Sequence, residues 1–362
     1  LFNIYTHDLP STLSNKFVYA DDICIATQSK DTEVIEQTLE EDLNVLENYF
    51  KRWRLKPNPL KTAVSLFHLN NRAANQELTV NFCGHRVKHD KLLVYLSVTL
   101  DRTLTYKHHL EKIASKLKTR TALISKLAGT TWGANTQVLR TSTLALLYSV
   151  AEYCSPVWEG STHCRLIDTE LRKGLRIITG TVKSTQVQWL SVLSNIEPPH
   201  IRRQNTVLRI ADKIQNNPVL PIHEYGVAMP RLKSRRPFIA RLEAIKNHRS
   251  LQPDPWKEDW ENNIPINGSL VDNVHSKPPG SDLSRKLWTR LNRIRTGQGR
   301  CNYLLHKWKI KTDPKCDCGA DKQTMEHIIS EYAKRKFTGT LSEIHSATDR
   351  AIKWLDSLDI EI

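Results

Sequence analysis

The 362-residue chain contains only two methionines, Met229 and Met325, and opens on Leu1. This opening predicts a translation start upstream of the first residue. No run of about 18 apolar residues occurs, so no membrane-spanning helix and no membrane partner are expected. The N-terminus also lacks the charged-then-apolar pattern of an export signal. Seven cysteines, an odd number, are scattered at 24, 83, 154, 164, 301, 316 and 318, which reads as reduced thiols rather than a disulfide framework. No segment repeats at a solenoid period. What remains is a globular chain with length for two or three domains and enough residues to bury a core.

Charge is the unusual component. Lys and Arg number 53 against 38 Asp and Glu, a formal net charge of +15. Residues 1–100 hold 11 basic and 12 acidic side chains and residues 311–362 hold 8 and 10, so the whole surplus lies between 101 and 310. Basic side chains gain by releasing counterions from phosphates, so a surplus confined to one region points to a polyanion partner. A solvated basic face is the alternative.

Periodicity divides the chain. Residues 17–26 read FVYADDICIA, two β-rich runs around Asp21 and Asp22, and predict a hairpin with the acidic pair at its turn. Ile35, Leu39, Leu43, Leu46, Phe50 and Trp53 recur at helical spacing behind an N-cap at Asp31 or Thr32. Two prolines in KPNPLK end that helix, and short strands are expected over 63–69, 78–82 and 94–100. Beyond Asp101 the pattern is helical: an apolar stripe from Leu110 to Leu127, a buried helix over 138–151 and another after Pro198 and Pro199. Trp132, Trp158 and Trp189 are expected in the core. Prolines crowd the stretch 216–282, which reads as an irregular linker. A last helix is expected over 283–294, ahead of a cysteine-bearing module. The resulting fold class is α+β, with the mixed part first.

Adjacent carboxylates repel unless a cation or proton neutralises them, and divalent metal is the usual remedy. An Asp-Asp pair at a turn also arises from local hydrogen bonding alone. The order FVYADDICIATQSKD, then a helix, then LKPNPLKT, then VYLSVTLD resembles the second half of the palm of reverse transcriptases from non-LTR retrotransposons of the jockey-like kind. The stretches LLYSVAEYCSPVW and RLNRIRTGQGRCNYLLHKWKI are also similar to that family, so the resemblance spans the chain.

The resemblance implies nucleotidyl transfer from a dNTP to a primer 3′-OH in the parent protein, with Mg²⁺ held partly by Asp21 and, more weakly, Asp22. It implies that Tyr19 packs near the primer terminus and that Lys61 sits near the incoming triphosphate. Tyr95, Leu96, Ser97 and Val98 align with the hairpin that grips the primer, where the family commonly has glycine in place of Ser97. RNA template and DNA primer would be the partners, in an intracellular setting. The family's first catalytic aspartate falls upstream of residues matching Leu1, so the chain alone is expected not to polymerise DNA. In this reading residues 1–101 are a partial palm, and 102–215 are a basic helical thumb exposing Lys112, Lys116, Lys118, Arg120 and Lys126. Residues 216–282 are the linker and 283–362 a C-terminal helical and Cys/His element. Further basic clusters lie at Arg202 and Arg203, at 231–236 and at 286–300.

Cys316, Cys318 and His327 form C-x-C-x₈-H, a soft donor set suited to Zn²⁺. The run CDCGADKQTMEHIISE resembles the family's C-terminal element, whose last cysteine is replaced here by Tyr332, with Cys301 the candidate substitute. The competing reading of the whole chain is a non-catalytic nucleic-acid-binding protein that keeps the palm only as scaffold.

Overall fold

The computed structural model describes residues 4, 6–224, 238–251, 253–332 and 334–362. It is mixed α and β, with small sheets first and helices after them, and it divides into two compact units, Leu1–His109 and Leu110–Ile362.

In the first unit β1 (Asn15–Tyr19) and β2 (Asp22–Ala26) pair antiparallel with Tyr19 opposite Asp22. The loop is therefore Ala20 and Asp21 alone, and Ala20 takes a left-handed φ of 52°, the twist that two-residue hairpins need. Helix α1 (Thr32–Arg52) starts where the Asp31 carboxylate accepts the Glu33 N–H. Its stripe buries Leu39, Leu46 and Tyr49; Leu39 joins Leu78 and Val80 in a small core on which Ile25, Ile35 and Leu43 pack. Asp42, buried on the same face, accepts the Leu13 and Ser14 N–H groups at 2.7 and 2.9 Å, tying the helix to the start of β1.

The remaining strands are short. The expected strand over 63–69 contracts to β3 (Ala63–Val64), because its parallel partner β6 (Lys88–His89) is itself two residues long. β4 (Asn81–Phe82) pairs with β5 (His85–Arg86). The segment 94–100 is not one strand but the turn and second arm of a hairpin, β7 (Leu92–Tyr95) with β8 (Val98–Asp101). Leu96 and Ser97 turn it at φ 44° and 66°. Among the described residues every sheet is two-stranded.

Helix α2 (Lys107–Ile124) buries Leu110, Ile113, Leu117 and Ile124; Leu127, placed on the same stripe by spacing, lies beyond the helix end and is exposed. α3 (Thr136–Thr143) begins at the Asn135 cap and runs on through a π-type turn, Leu144–Tyr148, to Ala151. α4 (Arg165–Thr179) crosses that turn at Gly174, where an added Cβ would lie 2.5 Å from the Leu147 Cδ1. Helices α5 (Val187–Ser194) and α6 (Pro199–Gln215) follow.

The proline-rich stretch 216–282 is more than a linker. α7 (Phe238–Leu251) and α8 (Pro255–Asn262) form there, and α8 buries Trp256 and Trp260 against Trp189, Leu193 and Ile201. Pro255 occupies the first turn of α8, where its missing N–H costs nothing. Trp158 and Trp189 are fully buried as expected, whereas Trp132 is exposed on a loop. α9 (Arg285–Arg295), α10 (Asn302–Lys307), α11 (Met325–Ser330), α12 (Leu341–His345) and α13 (Asp349–Ser357) close the chain around a core of Trp288, Leu291, Ile294, Ile328, Ile344 and Leu355.

Candidate nucleic-acid interface and metal-ligating clusters

The β1–β2 hairpin presents Asp21 and Asp22 to solvent, beside an exposed Tyr19. Carboxylate oxygens are the donors Mg²⁺ takes. Among the described residues, no third His, Cys, Asp or Glu donor gathers with this pair. Tyr95, 73 positions further on, comes close enough to β2 that burial first, and then Cys24 and Asp22, raise its phenol above the ordinary tyrosine range. Tyr95, the last residue of β7, therefore lies near β2, a juxtaposition that spacing alone did not contain. Ser97 is exposed, Leu96 half-buried. Lys61 is exposed on a turn built by Asn58, whose side chain accepts the Leu60 and Lys61 N–H groups at 3.1 and 3.3 Å.

Lys112, Lys116, Lys118 and Lys126 are exposed on or just after α2. Arg120 is half-buried and donates Nη1 to the Leu146 carbonyl at 2.8 Å, so part of its hydrogen-bonding capacity is spent inside the protein. The other basic clusters are largely internal. Arg202 and Arg203 hold Glu152 and Asp168 through two bonds each, and Arg241 pairs with Glu159. On α9 three guanidinium groups are buried with no Asp or Glu side chain bonded to them. Arg285 donates to the carbonyls of Gly129, Ile177 and Ile178, Arg293 to the Gly180 carbonyl and a main-chain oxygen of Ile362, and Arg295 to the carbonyls of Pro279 and His345. Burial lowers Arg285 and Arg293 to about 10 and Arg295 to about 9. Sequence reading counted these arginines as surface charge; the structure makes them struts between helix ends. The cluster at 231–236 lies outside the described residues.

Cys316, Cys318 and His327 do come together, with one ligand atom from each lying within 4.8 Å of the others. The Thr324 side chain caps α11 by accepting the His327 N–H, which fixes where the imidazole emerges. His327 Nδ1 meets the Glu331 carboxylate at 2.8 Å, leaving Nε2 toward Cys318 Sγ at 3.2 Å. The Ala320 amide holds the Cys318 thiol below its ordinary range, with Cys316 and His327 adding to it. Cys301 is not part of this group: it is buried in the apolar core beside Trp288 and Met325, and burial pushes its thiol up. Tyr332 donates to Asp317 at 2.5 Å and stacks under Arg335, which also pairs with Asp359. This phenol–carboxylate–guanidinium network joins residues up to 42 apart, and no local pattern announces it.

The reverse transcriptase (RNA-dependent DNA polymerase) family model matches residues 1–87. Over 136 residues the chain is 27% identical to the RNA-directed DNA polymerase from mobile element jockey of Drosophila melanogaster, covering 35% of this chain and 14% of that protein. The jockey polymerase of Drosophila funebris is 31% identical over 131 residues, 33% of this chain and 14% of its own length. The Pol polyprotein from type-1 retrotransposable element R1 3 of Nasonia vitripennis aligns over 340 residues at 21% identity, covering 86% of this chain and 83% of that sequence. The chain thus spans about one seventh of the jockey proteins it matches. No solved structure matches. Residues 1–87 match the reverse transcriptase family, and the chain is similar in sequence to the RNA-directed DNA polymerases of non-LTR retrotransposons.

Proposed function

We propose that this chain supplies the Asp-Asp half of a reverse transcriptase palm, followed by a helical unit that grips an RNA template and DNA primer through α2. The observation that carries the proposal is the two-residue turn that exposes Asp21 and Asp22 next to Tyr19, with Tyr95 brought near the same strand. In this reading Asp21 and Asp22 hold Mg²⁺, which polarises the primer hydroxyl and the departing oxygen of the dNTP when bound. Tyr19 lies against the primer end, Lys61 offers a cation to the triphosphate, and Leu96 and Ser97 form the primer-side turn. Lys112, Lys116, Lys118 and Lys126 neutralise backbone phosphates without reading sequence. With two carboxylates in place of a full donor set, the 362-residue chain alone does not extend a primer.

Fluorescence anisotropy with an RNA–DNA hybrid tests the reading. Binding should weaken steeply with salt and survive Asp21→Asn with Asp22→Asn. Neutralising Lys112, Lys116, Lys118 and Lys126 together should abolish it. Absence of hybrid binding overturns the proposal. Magnesium-dependent primer extension by the chain alone, abolished by Asp21→Ala, overturns its inactivity.

We further propose that Cys316, Cys318 and His327 hold a zinc ion, on the support of their gathered ligand atoms and of Glu331 orienting the imidazole. The Tyr332 hydroxyl is committed to Asp317, so the fourth position falls to solvent. Elemental analysis of reduced protein should return one zinc per chain, lost in Cys318→Ser; a value far below one removes the idea.

A further inference from the structure

Trp132, expected in the core, stands instead on the loop that joins α2 to α3 and is 60% exposed. A lone apolar residue on a surface is ordinary. The loop that carries this one is built to hold it there. Ala128 and Gly133 form an isolated antiparallel bridge; beside it the Ala134 N–H donates to the Leu127 carbonyl at 2.9 Å and the Gly129 N–H to the Trp132 carbonyl at 3.0 Å. Gly133 takes a φ of 102°, and a Cβ there would lie 2.4 Å from the Leu127 carbonyl oxygen, so the bridge needs glycine at this position. Gly129 makes room for the indole, since a Cβ there would lie 2.5 Å from Nε1 and 2.9 Å from Cε2 of Trp132. From the protein side Arg285 donates Nε to the Gly129 carbonyl at 2.8 Å, while its other nitrogens hold the Ile177 and Ile178 carbonyls at the end of α4. Two glycines and a buried guanidinium thus fix the indole in water, and its ordering entropy is spent before anything binds.

The surroundings are cationic and hydroxylic. Lys126 is exposed at the foot of the loop, two residues before the bridge and continuous with the lysines of α2, and Thr130 and Thr131 are exposed at its tip. A cavity of about 360 Å³ lies beside the tip, lined by both threonines and by Lys286, which is loosely paired with Asp356 at 3.6 Å. The carboxylates on its wall, Asp359 and Glu361, face Arg335 and Arg300. A rigid, exposed π-face next to cations suits a nucleobase and its flanking phosphates, because every base has a face to stack and none need be read. Within a duplex both faces of an interior base are already stacked, so the strand this loop takes is unpaired.

We infer that Trp132 is a stacking platform for an unpaired base of a nucleic-acid single strand, presented by the 127–134 loop at the end of α2, with Lys126 taking an adjacent phosphate. The inference rests on α2 as a nucleic-acid surface and extends it from the duplex to a strand that leaves the duplex.

Anisotropy of a labelled oligothymidylate with the full reduced chain probes it, with a blunt RNA–DNA hybrid measured alongside. Trp132→Ala should weaken oligothymidylate binding about tenfold, the size of one lost stack, and leave its salt slope unchanged because no phosphate contact is removed. Lys126→Gln should instead lower that slope by about one. Gly129→Ala keeps the indole but pushes it off its seat and should weaken binding several-fold, whereas Trp132→Phe, which keeps a π-face, should recover most of the loss. Oligouridylate should respond to Trp132→Ala as oligothymidylate does, since stacking ignores the 2′-hydroxyl. A sugar–phosphate oligomer without bases should bind the parent and Trp132→Ala alike. Because Trp132 is exposed, Trp132→Ala should melt with the parent, which separates a lost stack from misfolding. Unchanged affinity in Trp132→Ala, or an equal loss with the baseless oligomer, overturns the inference; so does a change in self-association in place of oligonucleotide binding, which would make the indole a protein contact. The two proposals fail separately. If the blunt hybrid binds through the α2 lysines while the single strand ignores Trp132, the platform alone falls; if the single strand binds through Trp132 while the hybrid does not bind, the duplex grip alone falls.

Discussion

The two units use charge in opposite ways. In the first, the side chains proposed to carry the chemistry, Asp21, Asp22 and Tyr19, are exposed on a hairpin that pairs with no other described strand. In the second, much of the positive charge that distinguishes the sequence is turned inward, with Arg285, Arg293 and Arg295 bonded to backbone carbonyls and Arg202 and Arg203 to carboxylates. Guanidinium suits such sites because its planar fork can satisfy several acceptors at once and stays charged when buried. A positive count along a chain is therefore a poor map of where a polyanion docks. Residues 286–300 read as a basic cluster, yet Arg293 and Arg295 within it, and Arg285 just before it, serve as struts, whereas α2 exposes four lysines.

Replacing a buried strut gives the largest effect by which to break that contrast. Arg295→Leu leaves the Pro279 and His345 carbonyls without donors in a closed interior and should cost about 3–4 kcal/mol. Lys116→Ala on α2 should stay within about 0.5 kcal/mol. Urea unfolding of both variants decides it, and equal losses would mean that α2 is as structural as α9.

Acid sharpens the same point. His345 is buried against Trp189 beside Arg295, and burial first, then that guanidinium, pushes its imidazole down to about 4 from an ordinary 6.5. The unfolded chain therefore binds a proton that the folded chain refuses between those values. Stability is fully present above about 6.5 and falls as pH drops toward 4, by of order 3 kcal/mol for this group. Unfolding midpoints at pH 7 and 4.5 should differ less in His345→Gln than in the parent; an identical difference would remove His345 as the cause.

How much of this was legible follows the range of the interactions. Helix α1, its Asp31 cap and the hairpin at 15–26 were readable because their causes lie within a few residues. The Cys316, Cys318 and His327 grouping was readable from spacing, and the His327–Glu331 contact is one helical turn. What spacing could not supply was partners at a distance. The burial of Trp256 and Trp260 depends on Trp189, nearly seventy residues earlier, so prolines alone suggested a linker. Cys301 looked like a substitute ligand because it is a nearby cysteine, yet its position before α10 points it into the core. The left-handed turn at Leu96 and Ser97 was carried by the family resemblance, which aligns 95–98 with a hairpin, and not by the residues themselves, since neither is glycine.

Within the first unit, carboxylates of equal charge should separate cleanly. Asp42→Ala orphans two N–H groups and should cost about 2 kcal/mol, whereas Asp21→Ala and Asp22→Ala should each change stability by less than about 0.5 kcal/mol. Hydrogen exchange of the Leu13 and Ser14 amides in the full chain reads the first directly. A comparable loss for Asp21→Ala would show that the turn is held by its carboxylate rather than merely displaying it.

The smallest expected effect bears on the turn at Leu96 and Ser97. Ser97 sits at φ 66°, a conformation that costs an L-residue roughly 1–2 kcal/mol, and glycine adopts it freely. Glycine also loses more entropy on folding, so Ser97→Gly should net a gain of about 0.5–1 kcal/mol, while Ser97→Ala should gain nothing. Because Ser97 is exposed and Tyr95 and Val98 already pair across the turn, no packing change obscures the comparison. A loss on Ser97→Gly would place the turn outside the left-handed region. A gain would mean that serine holds, at a cost, a conformation that glycine adopts freely.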